Sequence, residues 1–234
     1  MRHPLRTLLV ALAAVVVLAA AGVAFYLVVL RDDPPKRVAL TPESETTEPA
    51  EGAAASPAGS WVVRTGDDSF VGYRVRETFA GLSVASDAVG RTNDVSGTLT
   101  VEGDTTVTTA EVTAGLEALE SDEERRDNAI RTRGLETERF PESTFTLTGP
   151  LELPSPPTAG EAVSVTATGD LTLHGVTRPV DVPVEARWNG STIEVVGNID
   201  VTFSDYDIEA PSVGGFVSVE DEGEIELQLT FVPA

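Results

Sequence analysis

Apolar and polar residues alternate with a period of two through most of the chain from Ser60 onward. The stretch Glu224–Phe231 reads Glu-Ile-Glu-Leu-Gln-Leu-Thr-Phe, so that every second side chain is apolar. Successive side chains of a β-strand point to opposite faces, whereas a helix needs an apolar repeat of about 3.6 residues. Each such stretch is therefore predicted to be a strand with one apolar and one solvated face, as in antiparallel sheets.

Comparable stretches recur along this part of the chain and are separated by turn signals. The clearest signal is Asn189-Gly190, a dipeptide that favours the tight turns of β-hairpins. His174-Gly175 is predicted to form a second turn between two strands. Because about eight strands are expected and no long helical pattern intervenes, the sequence predicts an all-β domain, either a barrel or a sandwich.

One segment, Asp122–Arg133, breaks the alternation and is predicted to form a short surface helix. Ser121 and Glu124 have the spacing of a capping box, and the segment begins with acidic residues and ends with arginines. The segment contains few aliphatic residues, so we expect it to lie on the surface as a crossover between strands.

The amino-terminal part of the chain is predicted to lie outside the folded domain. Thr7–Leu30 contains no charged residue, and a helix of that length would reach about 36 Å, more than the roughly 30 Å of bilayer hydrocarbon. Residues 1–30 are therefore predicted to be an uncleaved transmembrane anchor, with a signal peptide cleaved near Ala19–Gly22 as the alternative. Residues 31–59, rich in Pro, Glu, Ala and Thr, are predicted to be a disordered linker. The folded domain is then residues 60–234.

Composition excludes several classes of function. The formal net charge is −22, from 38 acidic and 16 basic residues, which disfavours nucleic acid as a partner because phosphate binding needs clustered cations. The chain has no cysteine, so disulfides, thiolate metal sites and cysteine nucleophiles are excluded.

Few residues of the folded part are suited to catalysis or to metal binding. His174 is its only histidine, although a histidine-based zinc site needs several ligands, and no Gly-x-Ser-x-Gly motif accompanies it. The acidic stretches Ser204–Asp207 and Val219–Glu224 lack the spacing of an EF-hand loop. We therefore expect no enzyme activity, no catalytic residue, no metal site and no cofactor.

Four arginines cluster in the predicted helix. Salt bridges with the neighbouring acidic residues are one interpretation of this cluster. Contact with the polar head group of a ligand is the other, and Arg126 and Arg131 are the candidates for that role.

Several motifs, in this order, resemble the YceI-like family. Arg126-Asp127 is followed by Arg139–Phe145, then by Asp170–Val184 with its Asp-Leu-Thr-Leu-His-Gly-Val-Thr start, and last by Gly223–Phe231. The resemblance covers residues 59–234 and implies an extended, eight-stranded, lipocalin-like antiparallel barrel. It further implies that the barrel holds a long isoprenoid lipid, either a polyprenyl lipid or an isoprenoid quinone.

The resemblance also bears on where the domain lies. The numbers of cations on the two sides of the predicted anchor do not decide its orientation. Because the family is extracytoplasmic, we expect a single-pass protein of the cell membrane with its carboxyl-terminal domain outside and its amino terminus inside. The expected function is then that of a tethered lipid-binding protein. The alternative is an envelope stress or interaction protein that has no ligand and no catalytic activity.

If a ligand is bound, the apolar strand faces are expected to contact its tail. Small inward residues, among them Ala167, Gly169, Ala186 and Gly197, would either leave room for that tail or fit the taper of the barrel. The predicted tail contacts are Val71, Tyr73, Phe145, Leu147, Val165, Leu173, Val184, Trp188, Val195, Val201, Leu227 and Leu229.

Overall fold

The computed structural model describes residues 34–42, 56–79, 85–210, 212–213 and 217–234. The folded unit consists of residues 36–234. Within the described ranges, no helix is both long enough and apolar enough to cross a bilayer. The predicted anchor at residues 1–30 lies outside those ranges, and so does most of the predicted linker.

The described residues form thirteen strands and three short helical segments. The strands are β1 (Gly59–Val63), β2 (Phe70–Phe79), β3 (Ala85–Thr92), β4 (Val95–Glu102), β5 (Thr106–Gly115), β6 (Glu120–Ser121), β7 (Glu142–Leu147), β8 (Leu151–Glu152), β9 (Ala162–Leu173), β10 (Val176–Trp188), β11 (Ile193–Thr202), β12 (Ser212–Val213) and β13 (Val217–Pro233). The helical segments are α1 (Glu124–Ala129), a π-helical turn (Ile130–Gly134) and a 3-10 turn (Phe203–Tyr206).

Eight of these strands close into an antiparallel barrel, as the resemblance to the YceI-like family implies. Their order is β1-β4-β5-β7-β9-β10-β11-β13, and β1 pairs with β13 to complete the ring. One edge of the long strand β13 pairs with β11, and its other edge is divided, because the carboxyl-terminal end pairs with β1 while the part before it pairs with β2. Strands β2, β3 and β6 thereby extend one side of the barrel beyond the closed ring.

The two predicted turns connect neighbouring barrel strands. His174 and Gly175 have φ values of 52° and 76°, and they join β9 to β10 where Leu173 pairs with Val176. A two-residue hairpin turn with positive φ at both positions matches the right-handed twist of its strands. The Asn189 side chain closes the β10–β11 hairpin, since its Oδ1 accepts hydrogen bonds from the backbone N–H of Ser191 at 3.1 Å and of Thr192 at 2.8 Å.

The helical segment differs from the prediction in its cap and in its last turn. The α-helix spans only Glu124–Ala129 and continues as the π-helical turn. Ser121 is not the N-cap, because it belongs to strand β6; Glu123 takes that position and accepts a hydrogen bond from the backbone two residues on. The Ser121 hydroxyl instead donates to Asp127 Oδ1 at 2.6 Å, which ties β6 to the helix.

The inward side chains form two apolar clusters, one toward each end of the barrel. One contains Trp61, Trp188 and Phe231, and the other contains Leu173 and Tyr206. The predicted separation into an apolar inner face and a solvated outer face therefore holds for most of the sheet.

The outer face has one exception, on strands β2, β10, β11 and β13. Buried outward side chains there include Arg74, Arg187, Val196 and Glu226. Residues 36–42, which belong to the segment predicted as a disordered linker, make hydrogen bonds on this side of the barrel. The outer face is therefore not solvated throughout.

Candidate functional site

Two adjoining cavities occupy the interior of the barrel. The first has a volume of about 190 Å³ and the second about 120 Å³. Val71, Ser143 and Ile225 line both cavities, so the two spaces meet at this level of the barrel. The first cavity extends toward the end that contains Trp188, and the second extends toward the end that carries the helical segments.

Every side chain predicted to contact a ligand tail lines one of these cavities. This placement follows from the alternation, because inward residues of neighbouring strands face the same interior. Val71, Phe145, Leu147, Val165, Val184, Trp188, Val195, Leu227 and Leu229 line the first cavity, and Val71, Tyr73, Leu173 and Val201 line the second. Whether these residues contact a ligand remains a prediction.

The small inward residues have two different roles: some make room for a neighbouring side chain, and others leave space open in the cavity. A Cβ at Gly169 would lie 2.4 Å from the Phe145 ring, and one at Gly197 would lie 2.9 Å from Val184. The space beside these glycines is therefore already filled by their neighbours. Ala167 and Ala186, in contrast, line the first cavity, where their short side chains leave part of its volume open.

Sequence analysis missed two groups of lining residues. Strand β5 contributes Val107, Ala110 and Val112 to the first cavity, although β5 contains few large apolar residues among its threonines. The second group comes from the helical segments and loops, for example Ile130 and Phe203. No period-two pattern marks such residues, because they do not lie in strands.

Tyr73 is a polar residue in the lining of the second cavity. Its ring lies over Gly90 of the neighbouring strand, where a Cβ would be 2.4 Å from the ring. Its hydroxyl is buried and forms no hydrogen bond of good geometry with the residues that the structure describes, although the Ser121 side chain lies close to it. Burial raises the pKa of Tyr73 above its ordinary value, although the positive charge of Arg126 acts in the opposite direction. The hydroxyl is therefore neutral at physiological pH.

The two arginines predicted to contact a head group are engaged within the protein. Arg126 forms a two-point ion pair with Glu77, with Nε–Oε1 at 2.8 Å and Nη2–Oε2 at 3.1 Å, and also contacts Asp122. Arg131 donates to the carbonyl of Leu119 at 3.3 Å. Neither arginine lines either of the two cavities. Their contacts hold the helical segment on the barrel.

His174 also has a structural environment. Its Nδ1 lies 3.0 Å from the carbonyl oxygen of Tyr206, and its Nε2 lies 3.2 Å from Glu136 Oε2. The Phe140 ring packs against the imidazole at a centroid distance of 4.5 Å. The histidine thus joins the β9–β10 turn to the 3-10 turn and to the segment that follows the π-helical turn. It lines neither of the two cavities.

The two acidic stretches contact each other. Ser204 donates to Asp221 through its backbone N–H at 3.1 Å and through its hydroxyl at 2.6 Å. Within the part of the chain that the structure describes, no cluster of three or more His, Cys, Asp or Glu residues has the geometry of a metal site. The candidate functional site is therefore the pair of apolar cavities.

Comparisons with known proteins agree with this architecture. The chain is 29% identical to a UPF0312 protein of Vibrio parahaemolyticus over 110 residues, which is 44% of this chain and 54% of that protein. It is 26% identical to a UPF0312 protein of Vibrio vulnificus over 139 residues, 56% of this chain and 70% of that protein. The chain thus spans only about half the length of the first of these relatives.

Solved structures show the same fold at low sequence identity. A polyisoprenoid-binding domain from Saccharophagus degradans superposes with a TM-score of 0.59 at 17% identity, covering 76% of this chain and 99% of that one. BcnA of Burkholderia cenocepacia superposes with a TM-score of 0.54 at 19% identity, covering 72% and 98%. The model of the YceI-like domain matches residues 61–231, which include every strand of the closed barrel except the first residues of β1 and the last residues of β13. This chain belongs to the YceI-like domain family.

Proposed function

We propose that this protein binds a linear isoprenoid chain inside its barrel, without catalysis, at the outer face of the cell membrane. The observation that carries the proposal is the pair of adjoining apolar cavities. They lie along the barrel, so a slender chain fits them better than a compact ligand does. The fold shared with a polyisoprenoid-binding domain supports the same class of ligand.

The cavity volumes limit the size of the ligand that can enter without a rearrangement of the lining side chains. An apolar protein cavity of about 150 Å³ admits benzene, a six-carbon ring, and the two cavities here measure about 190 and 120 Å³. Each therefore has room for about one five-carbon prenyl unit, or slightly more. A longer chain needs additional space, which side-chain rotation along the lining has to supply.

Burial of the chain would supply the binding free energy. Transfer of a CH₂ group from water to an apolar interior is worth about 0.8 kcal/mol, or roughly 4 kcal/mol for a five-carbon unit before the cost of ordering it. Two buried units would then suffice for measurable affinity with little help from polar groups. Arg126 and Arg131 are not required as head-group ligands in this scheme, since both are engaged within the protein.

Membrane attachment is the second part of the proposal. The uncharged run Thr7–Leu30 supports an anchor by its length and composition. An anchored barrel would receive and release its lipid at the bilayer surface, with the domain on the extracytoplasmic side.

The alternative, a ligand-free envelope protein that acts through its surface, requires a barrel filled by its own aromatic side chains. The four candidates are Phe145, Trp188 and Phe231, which line the first cavity, and Phe203, which lines the second, and they leave about 190 Å³ and 120 Å³ open in these cavities. The alternative is therefore less well supported than lipid binding.

Mass spectrometry of an organic extract of the purified full-length chain tests the ligand. The expected result is a prenyl lipid that co-purifies with the protein. Ala186→Leu, which fills part of the first cavity, should lower the lipid-to-protein ratio. Ala162→Leu is the matched control, because Ala162 is exposed at the start of β9, and it should leave the ratio unchanged. A native protein that is reproducibly empty and takes up no added prenyl lipid would refute the proposal.

A further inference from the structure

Residues 36–42, which we call the docking segment, pack over the buried outward side chains on the outside of the barrel. Thr41 donates to Glu194 Oε1 twice, through its backbone N–H at 2.8 Å and its hydroxyl at 2.7 Å. Arg187 donates to the Thr41 carbonyl oxygen at 2.6 Å. All three bonds involve a charged partner, a class of hydrogen bond that is about twice as strong as neutral ones.

The other end of the docking segment contacts the same face of the barrel. Arg37 forms an ion pair with Glu224, and the Lys36 carbonyl oxygen accepts a hydrogen bond from Arg91 at 3.3 Å. Between these ends, Val38 lines the same surface groove as the outward residue Val196, which is only 5% exposed.

The docking segment has a defined direction along the barrel. Its carboxyl-terminal end lies at Glu194, the residue after Ile193 at the start of β11, near the lining of the first cavity. Its amino-terminal end lies at Glu224, which pairs with Asp200 near the other end of β11. Glu224 itself lines the second cavity. The segment therefore runs antiparallel to β11, and its amino terminus is at the second-cavity end.

We propose that the docking segment fixes both the length of the membrane tether and the orientation of the barrel, with the second-cavity end toward the bilayer. This inference rests on the proposed membrane anchor. From the end of the anchor at residue 30, an undocked linker to Gly59 would reach roughly 90 Å, whereas the six residues that precede Arg37 reach at most about 20 Å. The docked barrel therefore stays near the membrane, with the end that contains the second cavity nearer to it.

Proteolysis tests the docking without reference to the membrane. Trypsin cleavage of the full-length chain after Arg37 should be slow in the native protein, because the docked peptide is held against the barrel. Thr41→Pro removes both donors to Glu194 and should accelerate that cleavage. Thr47→Pro, the same substitution later in the linker, is the control and should have no effect. Equal cleavage rates in the native protein and Thr41→Pro would refute the docking.

Energy transfer to the bilayer tests the orientation. Because the chain has no cysteine, a single dye can be attached at Ser191→Cys, near the first-cavity end, or at Glu222→Cys, near the second-cavity end. Position 191 lies just before the first residue of β11, and position 222 pairs with its last residue, Thr202. The ten-residue strand between them is about 30 Å long. In proteoliposomes with acceptor-labelled lipid, the dye at position 222 should transfer more energy than the dye at position 191.

The difference between the two labels should be lost in the double variant Arg37→Ala, Thr41→Pro, which removes the ion pair to Glu224 and both donors to Glu194. Equal transfer in the native protein, or a difference that survives this double variant, would overturn the orientation. Flotation of the full-length chain with the liposomes reports separately on the anchor, and the lipid extract reports separately on the ligand.

Discussion

The ion pair between Arg74 and Glu226 makes a sharp prediction about stability. Both side chains point outward from their strands, yet Arg74 is 6% exposed and Glu226 is 1% exposed. Their Nε–Oε1 distance is 2.6 Å. Removal of one member of a buried pair leaves an uncompensated charge and typically costs about 3–5 kcal/mol.

Arg74→Met should therefore destabilise the protein, and the local geometry indicates the size of the effect. Arg91 lies 3.7 Å from Glu226 and retains part of the compensation, so the loss should be near the lower bound, about 3 kcal/mol. For a domain of this size, 1 kcal/mol corresponds to a change in Tm of roughly 2–4 °C. Thermal unfolding of the detergent-solubilised full-length chain should show a decrease of about 6–12 °C.

Two further variants separate a buried pair from an ordinary surface pair. The double variant Arg74→Met, Glu226→Met removes both charges and should recover most of the lost Tm, because apolar replacements of a buried pair are often neutral. The partners left behind, Asp87 and Arg91, are 34% and 30% exposed and keep access to water. Arg64→Met is the matched control, since Arg64 pairs with Asp68 in an exposed position, and it should cost no more than about 1 kcal/mol. If Arg74→Met lost no more than Arg64→Met, or if the double variant were as unstable as the single one, the reasoning would be refuted.

Three other substitutions have expected outcomes. Tyr73→Phe should keep or slightly raise the Tm, because it removes a buried hydroxyl that forms no hydrogen bond of good geometry with the described residues, a group that costs about 1–3 kcal/mol. The raised pKa of Tyr73 keeps its hydroxyl protonated in the folded protein above pH 10, whereas the same hydroxyl ionises in the unfolded chain. The stability of the native protein should therefore fall as pH rises beyond about 10, and it should fall less steeply in Tyr73→Phe. Gly169→Ala should cost at least about 1–3 kcal/mol, since its Cβ would lie 2.4 Å from the Phe145 ring and 2.5 Å from the backbone oxygen of Thr146. It should also lower the lipid content, and urea titration and lipid extraction would measure the two effects. His174→Ala should lower the midpoint of urea unfolding but leave the lipid content unchanged. If the variant lost lipid while its urea midpoint stayed at the native value, a purely structural role for His174 would be contradicted.

The strands were predictable from the sequence because each has one apolar and one solvated face, whereas the choice of a barrel over a sandwich came from the family resemblance. Alternation in β13 alone assigns Leu227 and Leu229 to the interior, and both line the first cavity. The β10–β11 hairpin and the β9–β10 turn were predictable for a similar reason, since each depends on a local dipeptide. Strand order and the double pairing of β13 depend on contacts between distant segments, which no local pattern encodes.

The helical segment illustrates a limit of local pattern. Ser121 and Glu124 have the correct spacing for a capping box, but Ser121 pairs with Gly90 in the sheet and is not available as a cap. The arginines of this segment were open to two interpretations for a similar reason. The partner of Arg126 is Glu77, 49 residues earlier in the chain, and only the fold brings the two together.

The interior and the outer face differ in what alternation reveals about them. An apolar inward face is required for folding whether the barrel is filled or hollow, so the pattern cannot separate these cases. The distinction lies in contacts between neighbouring strands. The space beside Gly169 is filled by the Phe145 ring, whereas Ala186 lines the first cavity. On the outer face, a docked segment is indicated by an apolar side chain at a position where alternation predicts a solvated one. Val196 is such a residue, and its match in the linker is the apolar Val38, which lies in the same groove. In this chain, the outward apolar residue Val196 and the short apolar stretch that begins at Val38 therefore mark the docked segment.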